Sequence, residues 1–146
     1  MIGLKEVYYE DVKVGDELPA LKKTITKEQI LNYADACGDY NPIHVDEESA
    51  KKAGLGGIIA HGLLSFASVI QLITDWLRDP MDLKKIVVRF TSMVRPGDVL
   101  SIKGTIKDKY VKDSLNYVDC EVVSKNQRGE KTIIGKATAI LPSKTD

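Results

Sequence analysis

The sequence is short of the features that would place it in several large classes of protein. Its 146 residues include two cysteines and no CxxC pair, so neither a disulfide framework nor a cysteine-based zinc site is expected. Lys and Arg number 21, and so do Asp and Glu. Binding to nucleic acid needs an excess of cations, so no nucleic-acid partner is expected.

Long apolar runs are also absent. The longest, from Ile58 to Leu77, is interrupted by polar residues such as His61 and Asp75, so it is not expected to cross a membrane. The N-terminus lacks the pattern of a signal peptide. Two cysteines without a motif are typical of free thiols in a reducing compartment. These absences predict a cytoplasmic protein without membrane contact, folded as one domain over residues 1–146.

A helix is predicted from Lys27 to Cys37. Thr26 heads a capping box with a glutamine three residues later, and apolar residues recur at helical spacing along the segment. Gly38 stands where a left-handed C-terminal cap is common, so the helix is expected to stop there and to leave Asp39 to His44 as an exposed turn. A shorter helix is expected to follow, capped by Asp46.

One long helix and four strands account for the remainder of the chain. Residues from Gly62 to Arg78 are apolar nearly all round, which is typical of a helix buried at the centre of a fold. After Asp79-Pro80 the alternation of apolar and polar residues predicts an antiparallel meander. Its predicted strands are Lys84 to Met93, Asp98 to Tyr110, Leu115 to Lys125 and Lys131 to Leu141. The sequence thus predicts an α+β fold, with a curved antiparallel sheet wrapped around a long central helix.

A single sheet of this kind leaves edge strands open. An open edge exposes unpaired backbone groups, and pairing edge to edge in a twofold dimer would cover them. We therefore expect a homodimer or a higher homo-oligomer.

Both histidines of the chain, His44 and His61, fall between Asp39 and Gly62. Asp39, Asn41 and His44 share one turn, GDYNPIH, where a carboxylate, an amide and an imidazole can converge on a water molecule and move its proton. The same residue types also occur in ordinary turns, where Asp and Asn bond the nearby backbone. The pairing of His44 with Asp39 favours the catalytic interpretation.

Gly62 opens the central helix within the stretch IIAHGLL. The first N–H groups of a helix have no partner inside the helix and lie at its positive end, so they can stabilise a developing oxyanion. Gly62 would let a substrate carbonyl approach the backbone closely, although it can equally serve close packing. We interpret His61 as an interior histidine that bonds to backbone groups.

Other chemistries have less support in the sequence. Asp39, His44, Asp46 and His61 are metal ligands by type, but their spacing matches no zinc motif, and no metal is expected. A GxSxG motif is absent. Cys37 lies on the apolar stripe of the first helix, which favours a core position over a role as nucleophile.

The segments GDYNPIHVDEESAKKAG and IIAHGLLSFA resemble the MaoC-like, (R)-specific enoyl-CoA hydratase family, whose members have the hot-dog fold. The family pattern is Gly-Asp-any-Asn-Pro-apolar-His, then a short helix, then apolar-His-Gly at the start of the central helix. Every one of these positions is filled in this chain. The segment RFTSMVRPGD also matches the strand and turn that follow the central helix in the family.

The resemblance implies a hydro-lyase in which Asp39 and His44 are the catalytic pair. It implies that Asn41 helps to place the water or a catalytic side chain and that the Gly62 N–H binds the thioester oxygen. The implied reaction is (R)-specific hydration of trans-2-enoyl thioesters, or dehydration of (3R)-3-hydroxyacyl thioesters, on CoA or acyl-carrier protein. No metal or redox cofactor is implied, because the CoA or carrier pantetheine is part of the substrate.

Three other functions remain open from the sequence. The chain could be a non-catalytic or partner-dependent subunit of a dehydratase complex, since some paralogues pair a catalytic subunit with a non-catalytic one. It could be a hot-dog acyl-CoA thioesterase, a class that usually places its carboxylate on the central helix, where the first candidate is Asp75. It could also be a ligand-binding domain whose loop only caps helices.

Overall fold

The computed structural model describes residues 6–145. Within that range the strands are Leu21–Thr24 (β1), Leu83–Phe90 (β2), Val99–Lys112 (β3), Leu115–Lys125 (β4) and Lys131–Ile140 (β5). The α-helices of the same range are Lys27–Cys37 (α1), Pro42–Val45 (α2), Glu47–Lys52 (α3) and Gly62–Trp76 (α4). The five strands form one antiparallel sheet in the order β1-β3-β4-β5-β2. None of the helices in the described part of the chain is long and apolar enough to cross a membrane.

Helix α1 has the bounds that the sequence predicts. The Thr26 hydroxyl accepts a hydrogen bond from the backbone N–H of Gln29, with an N–O distance of 3.1 Å. Gly38 follows the last turn with a φ of 77°, and its N–H donates to the Ala34 carbonyl. A residue in the left-handed conformation turns the chain away from the helix axis. The chain therefore leaves α1 in a defined direction, toward the turn that begins at Asp39.

Helix α4 packs one of its faces against the sheet. Its side chains Leu64, Val69, Leu72 and Ile73 are at most 8% exposed. Leu63, on the other side of the helix, is 63% exposed. The prediction of a helix buried on nearly all sides is therefore wrong for the single chain, because the sheet covers only one side of α4.

The order of the strands corrects the predicted meander. Strands β3, β4 and β5 follow one another across the sheet, but β2 pairs with β5 at the opposite edge from β1. Strand β1, which the sequence does not predict, lies beside β3. The connection from β2 to β3 therefore crosses the sheet. Within this connection, the Val94 carbonyl accepts a hydrogen bond from the Ala60 N–H, with an N–O distance of 2.7 Å. This crossing brings the residues after β2 to the start of α4.

The alternation predicted in β3 and β4 puts alternate side chains into the core. Ile102, Val118 and Val122 are all fully buried. Burying such a side chain stabilises the fold by about 1.5–3 kcal/mol. The two strands join through Asp113 and Ser114, with φ angles of 51° and 63°. Positive φ at both central residues is typical of the two-residue hairpin turn whose twist matches that of the strands.

Some element ends differ from the predicted bounds. Helix α4 ends at Trp76 rather than Arg78, because Leu77 takes an extended backbone conformation. Strand β2 ends at Phe90 rather than Met93, where the chain begins to cross toward β3. Such shifts of two or three residues are common, since end residues lack part of the hydrogen bonding that defines the element.

Candidate active site

Polar side chains hold the backbone of the chain between α1 and α4. An Asp39 carboxylate oxygen accepts from the Asn41 N–H at 3.2 Å, and the Asn41 side-chain oxygen accepts from the Ile43 N–H at 3.4 Å. Asp46 caps α3 by accepting from the Glu48 N–H at 3.1 Å. Asp and Asn therefore do act as ordinary turn residues here. Their caps also fix where the Asp39 carboxylate and the residues of α2 lie.

His44 lies on α2 and points into the protein. Only 8% of the residue is exposed, so the prediction of an exposed turn is wrong at this position. Its Nδ1 lies 2.7 Å from the Ile59 carbonyl oxygen. Because a carbonyl only accepts hydrogen bonds, Nδ1 carries the proton of the neutral ring, and Nε2 carries the lone pair. His44 therefore presents a nitrogen that can accept a proton.

His61 is an interior histidine bonded to the backbone, as the sequence predicts. It is 2% exposed, and its Nε2 donates to the backbone carbonyl of Asp39 over 3.0 Å. Its ring stacks on the ring of His44, with centroids 4.0 Å apart and planes inclined by 25°. Its Nδ1 is buried and has no hydrogen-bond partner within residues 6–145. The two histidines thus form a stacked pair beside Asp39.

The distances in this cluster suit a shared water molecule. A carboxylate oxygen of Asp39 and one ring nitrogen each of His44 and His61 all lie within 4.8 Å of one another. Two acceptors that each bind one hydrogen of the same water, at about 2.8 Å, lie about 4.6 Å apart. A separation of up to 4.8 Å between the Asp39 carboxylate and a ring nitrogen of His44 is compatible with one water bound by both.

The same three residues are a poor fit to a metal ion. A metal bound by imidazole lies in the plane of the ring, about 2 Å from the nitrogen. The planes of His44 and His61 are nearly parallel and 4.0 Å apart at their centroids. Stacked rings direct their in-plane lone pairs side by side rather than at one point, which disfavours a single ion bound by both. Asp46, the fourth candidate ligand, is occupied with the N-terminus of α3.

A cavity of about 410 Å³ opens beside the histidine pair. Gly62, the first residue of α4, and His44 line it on one side, and the end of β2 and the following residues line it on the other. A β-carbon added at Gly62 would lie 3.1 Å from the Phe90 ring, so glycine keeps this passage open. The Gly62 N–H has no acceptor inside its own helix, since it belongs to the first turn. It can therefore donate to a ligand in the cavity.

Sequence reasoning missed the wall of this cavity that faces Gly62. The side chains there include Phe90, Met93 and Thr132. Phe90 is 50% exposed although it is aromatic. The motif RFTSMVRPGD contains Phe90 and Met93 and could have identified both of them. Only the crossing from β2 to β3 shows that this motif faces α4.

Cys37 and Asp75 both lie outside the lining of the cavity. Cys37 is exposed, so its predicted core position is wrong. It lies on the last turn of α1, where its sulfur accepts from the Asp39 N–H at 3.4 Å. Asp75 is exposed near the C-terminal end of α4 and accepts from the Gln71 amide at 3.2 Å. Thirteen residues of helix place it about 20 Å from Gly62, so it does not belong to the cavity.

Comparison with known proteins places these features in context. A family model described as "MaoC like domain" matches residues 11–128. The (R)-specific enoyl-CoA hydratase of Rhodospirillum rubrum is 30% identical over 142 residues, which cover 94% of this chain and 93% of that protein. The 3-hydroxybutyryl-CoA dehydratase of Methylorubrum extorquens is 33% identical over 101 residues, 68% of this chain. This chain spans 64% of that dehydratase and as little as 3% of much longer relatives.

A solved structure extends the similarity to three dimensions. The unliganded R-hydratase PhaJ1 from Pseudomonas aeruginosa superposes with a TM-score of 0.84 at 27% sequence identity, over 95% of this chain and 88% of that one. Structural neighbours of this kind have the hot-dog fold. The α+β hot-dog fold expected from the sequence is therefore confirmed. The named relatives are hydratases and dehydratases, both of which are hydro-lyases.

Proposed function

This chain belongs to the MaoC-like dehydratase family, and from that membership we propose that it is itself a hydro-lyase for acyl thioesters. The proposed reaction is (R)-specific addition of water to trans-2-enoyl thioesters, or its removal from (3R)-3-hydroxyacyl thioesters, on CoA or acyl-carrier protein. One observation carries the proposal. The Asp39 carboxylate and a ring nitrogen of His44 lie within 4.8 Å of each other, and His44 and Gly62 line the same cavity.

Asp39 and His44 hold and deprotonate the water in this mechanism. Both groups accept hydrogen bonds, so a water bound to both directs its hydrogens at them and turns a lone pair toward the substrate. As the oxygen bonds to C3, its proton passes to the pair, and a proton is delivered from the pair to C2. A positioned acid–base group of this kind typically raises the rate by roughly a hundred- to ten-thousand-fold. Dehydration follows the same steps in reverse.

Gly62 stabilises the charge that forms on the thioester. Attack at C3 pushes electron density through the conjugated system onto the carbonyl oxygen, which becomes an enolate oxygen. The Gly62 N–H, at the positive end of α4, donates to that oxygen. A donor in such a position is worth about 3 kcal/mol of transition-state stabilisation.

Asn41 acts indirectly in this scheme. Its side-chain oxygen caps α2, and its N–H is held by the Asp39 carboxylate. Asn41 therefore helps to position the Asp39 carboxylate through its N–H and His44 through its cap on α2. The reaction uses no metal or redox cofactor, because the proton moves between side chains and the thioester itself activates the alkene.

The surface of the chain supports a homodimer as the working unit. Strand β2 is an edge strand of eight residues. Val87 and Phe90 on β2, and Leu63 on α4, are each at least 50% exposed. An open edge beside exposed apolar side chains favours pairing with a second copy. The two free cysteines support a reducing, cytoplasmic location.

The experiment that tests this function follows the conjugated-enoyl absorbance of trans-2-enoyl-CoA substrates of short, medium and long chain. We expect loss of absorbance and a (3R)-3-hydroxyacyl product, with no release of free thiol. Asp75→Asn is the matched control and should react like the natural chain, since Asp75 lies far from the cavity. Release of thiol, or a (3S) product, contradicts the proposal and would favour a thioesterase or a different hydratase.

A further inference from the structure

His61 joins the two residues of the proposed catalytic pair, although it belongs to a different part of the chain. It is the residue before α4, and its side chain does not cap that helix. Instead its Nε2–H donates to the Asp39 carbonyl, 22 residues earlier, over 3.0 Å. The N–H of His61 thus ties the turn after α1 to the start of α4.

The ring of His61 also supports the ring of His44. The centroids of the two rings lie 4.0 Å apart. The ring of Tyr33 makes a T-shaped contact with the His61 ring, with centroids 4.8 Å apart and planes inclined by 61°. The side chain of His44 makes one hydrogen bond within residues 6–145, from Nδ1 to the Ile59 carbonyl. A single bond leaves an imidazole free to tilt about that bond. The stacked ring of His61 restricts this tilt and so fixes the direction of the His44 Nε2 lone pair.

Packing alone does not account for a histidine at position 61. Its Nδ1 is buried and lacks a partner within residues 6–145, an arrangement that lowers stability and is rare in proteins. An apolar side chain would fill the same space without an unpaired nitrogen. A histidine, however, combines a flat ring with an N–H donor. Here the ring stacks on His44 and the N–H donates to the Asp39 carbonyl.

We propose that His61 is a positioning residue for the Asp39–His44 pair, with its N–H holding the Asp39 backbone and its ring holding the plane of His44. This inference rests on the proposed function for its effect on turnover, but the geometry of the pair can be tested without any substrate. In this scheme His61 takes up no proton from the water. It acts through the two residues that do.

Two substitutions separate the donor from the ring. His61→Phe keeps a flat ring against His44 and loses the donor, whereas His61→Gln keeps an N–H near the position of Nε2 and loses the ring. Ser68→Ala, at a buried position on α4 that does not line the cavity, is the control for general disturbance of the helix. Thermal unfolding of each variant establishes that it is folded before the other measurements.

The first readout is the protonation pattern of the imidazoles in long-range ¹H–¹⁵N correlation spectra. The chain contains only two histidines, so His44 is the sole imidazole in either variant of His61. We expect one Nδ1–H ring and one Nε2–H ring in the natural chain. In both variants the Ile59 carbonyl should keep His44 in the Nδ1–H form. The His44 ring itself, followed by ¹³C relaxation of its Cε1–H group, should stay as rigid in His61→Phe as in the natural chain and become more mobile in His61→Gln. An equally rigid His44 ring in His61→Gln overturns the role of the His61 ring, whatever the activity.

The second readout is turnover with the best enoyl thioester. We expect kcat to fall about tenfold in each His61 variant while KM changes less than about twofold, because positioning acts on the transition state more than on binding. Ser68→Ala should keep the kcat of the natural chain. A natural kcat in folded His61→Phe overturns the role of the donor. If the natural chain hydrates no enoyl thioester, the proposed function fails, and the imidazole spectra alone decide the role of His61.

Discussion

The segment from Gly38 to Gly62, called here the site segment, and the strands from β2 to β5 are held in place by different interactions. In the site segment, polar side chains bond to backbone groups, as Asp39 does to Asn41 and His44 does to Ile59. In the strands, backbone groups bond to one another along continuous ladders, and apolar side chains fill the core. The site segment therefore depends on a few polar contacts, whereas the sheet depends on many equivalent ones.

This difference separates activity from stability. Removing a polar group from the site segment takes away a contact that positions the chemistry but leaves the core filled. Crowding the sheet disturbs packing over several strands while leaving the polar contacts of the site segment in place. We expect the two regions to respond to substitution in opposite ways, and the following changes test that expectation in order of decreasing effect.

The largest effect on turnover is expected from Asp39→Ala and His44→Ala. Each removes one of the two groups that hold the water, so kcat should fall about a hundredfold or more. The melting temperature should change little for Asp39→Ala, since Asp39 is exposed. Steady-state kinetics and thermal unfolding measure the two quantities. Near-normal turnover in either folded variant would remove that residue from the mechanism.

The opposite response is expected from Gly135→Ala in β5. An added β-carbon would lie 2.4 Å from the Val87 carbonyl oxygen on β2, so the two strands must move apart. Overpacking of this kind costs roughly 1–3 kcal/mol of unfolding free energy. Denaturant unfolding measures the loss, and the fraction that remains folded should keep its kcat. A stability equal to that of the natural chain would contradict the close pairing of β2 with β5.

A smaller effect is expected from Gly62→Ala at the border of the two regions. The added methyl group would lie 3.1 Å from the Phe90 ring and would narrow the passage beside the Gly62 N–H. We expect kcat/KM to fall about tenfold, which corresponds to about 1.4 kcal/mol. Alanine is the better helix former, so the unfolding free energy should not decrease. Gly62→Ala combined with Phe90→Leu, which shortens the facing side chain, should recover part of the activity.

The smallest expected difference is in the reactivity of the two cysteine thiols. Cys37, at the edge of the site segment, is exposed, whereas Cys120 on β4 is buried. Burial raises the pKa of the Cys120 thiol to about 12, so it stays protonated and unreactive at neutral pH. We expect iodoacetamide at pH 8 to label one thiol of the native chain and two after unfolding, as counted by mass spectrometry. Native labelling of Cys120→Ser should equal that of the unmodified chain. Rapid labelling of Cys120 would mean that the core opens far more readily than its packing indicates.

The sequence predicts the elements of this fold better than their arrangement. Thr26 and Gly38 mark the ends of α1 because caps act over three or four residues. The bounds of β4 likewise follow from local alternation and turn residues. The position of β2 beside β5 does not, since pairing is decided between residues far apart in the chain. Strand β1 is too short to produce a pattern of its own.

At the site, too, local motifs identify the candidate residues, whereas contacts between distant segments decide how these residues are arranged. The motif around Asp39 and His44 identifies the candidate residues, and the start of α4 identifies Gly62. Their local spacing does not indicate that His44 is buried, that the ring of His61 lies against it, or that Phe90 faces Gly62. The stacking of His61 on His44 joins residues 17 apart, and the approach of Phe90 to Gly62 joins residues 28 apart.

The sequence by itself therefore determined which side chains are available for chemistry and which segments are helix or strand, because these depend on residue type and on neighbours within a few positions. Only the tertiary structure decided which nitrogen of each histidine carries the proton. The Ile59 carbonyl selects the proton-bearing nitrogen of His44, and the Asp39 carbonyl selects that of His61. Both carbonyls reach the rings only after the chain has folded, since an imidazole in water can carry its proton on either nitrogen.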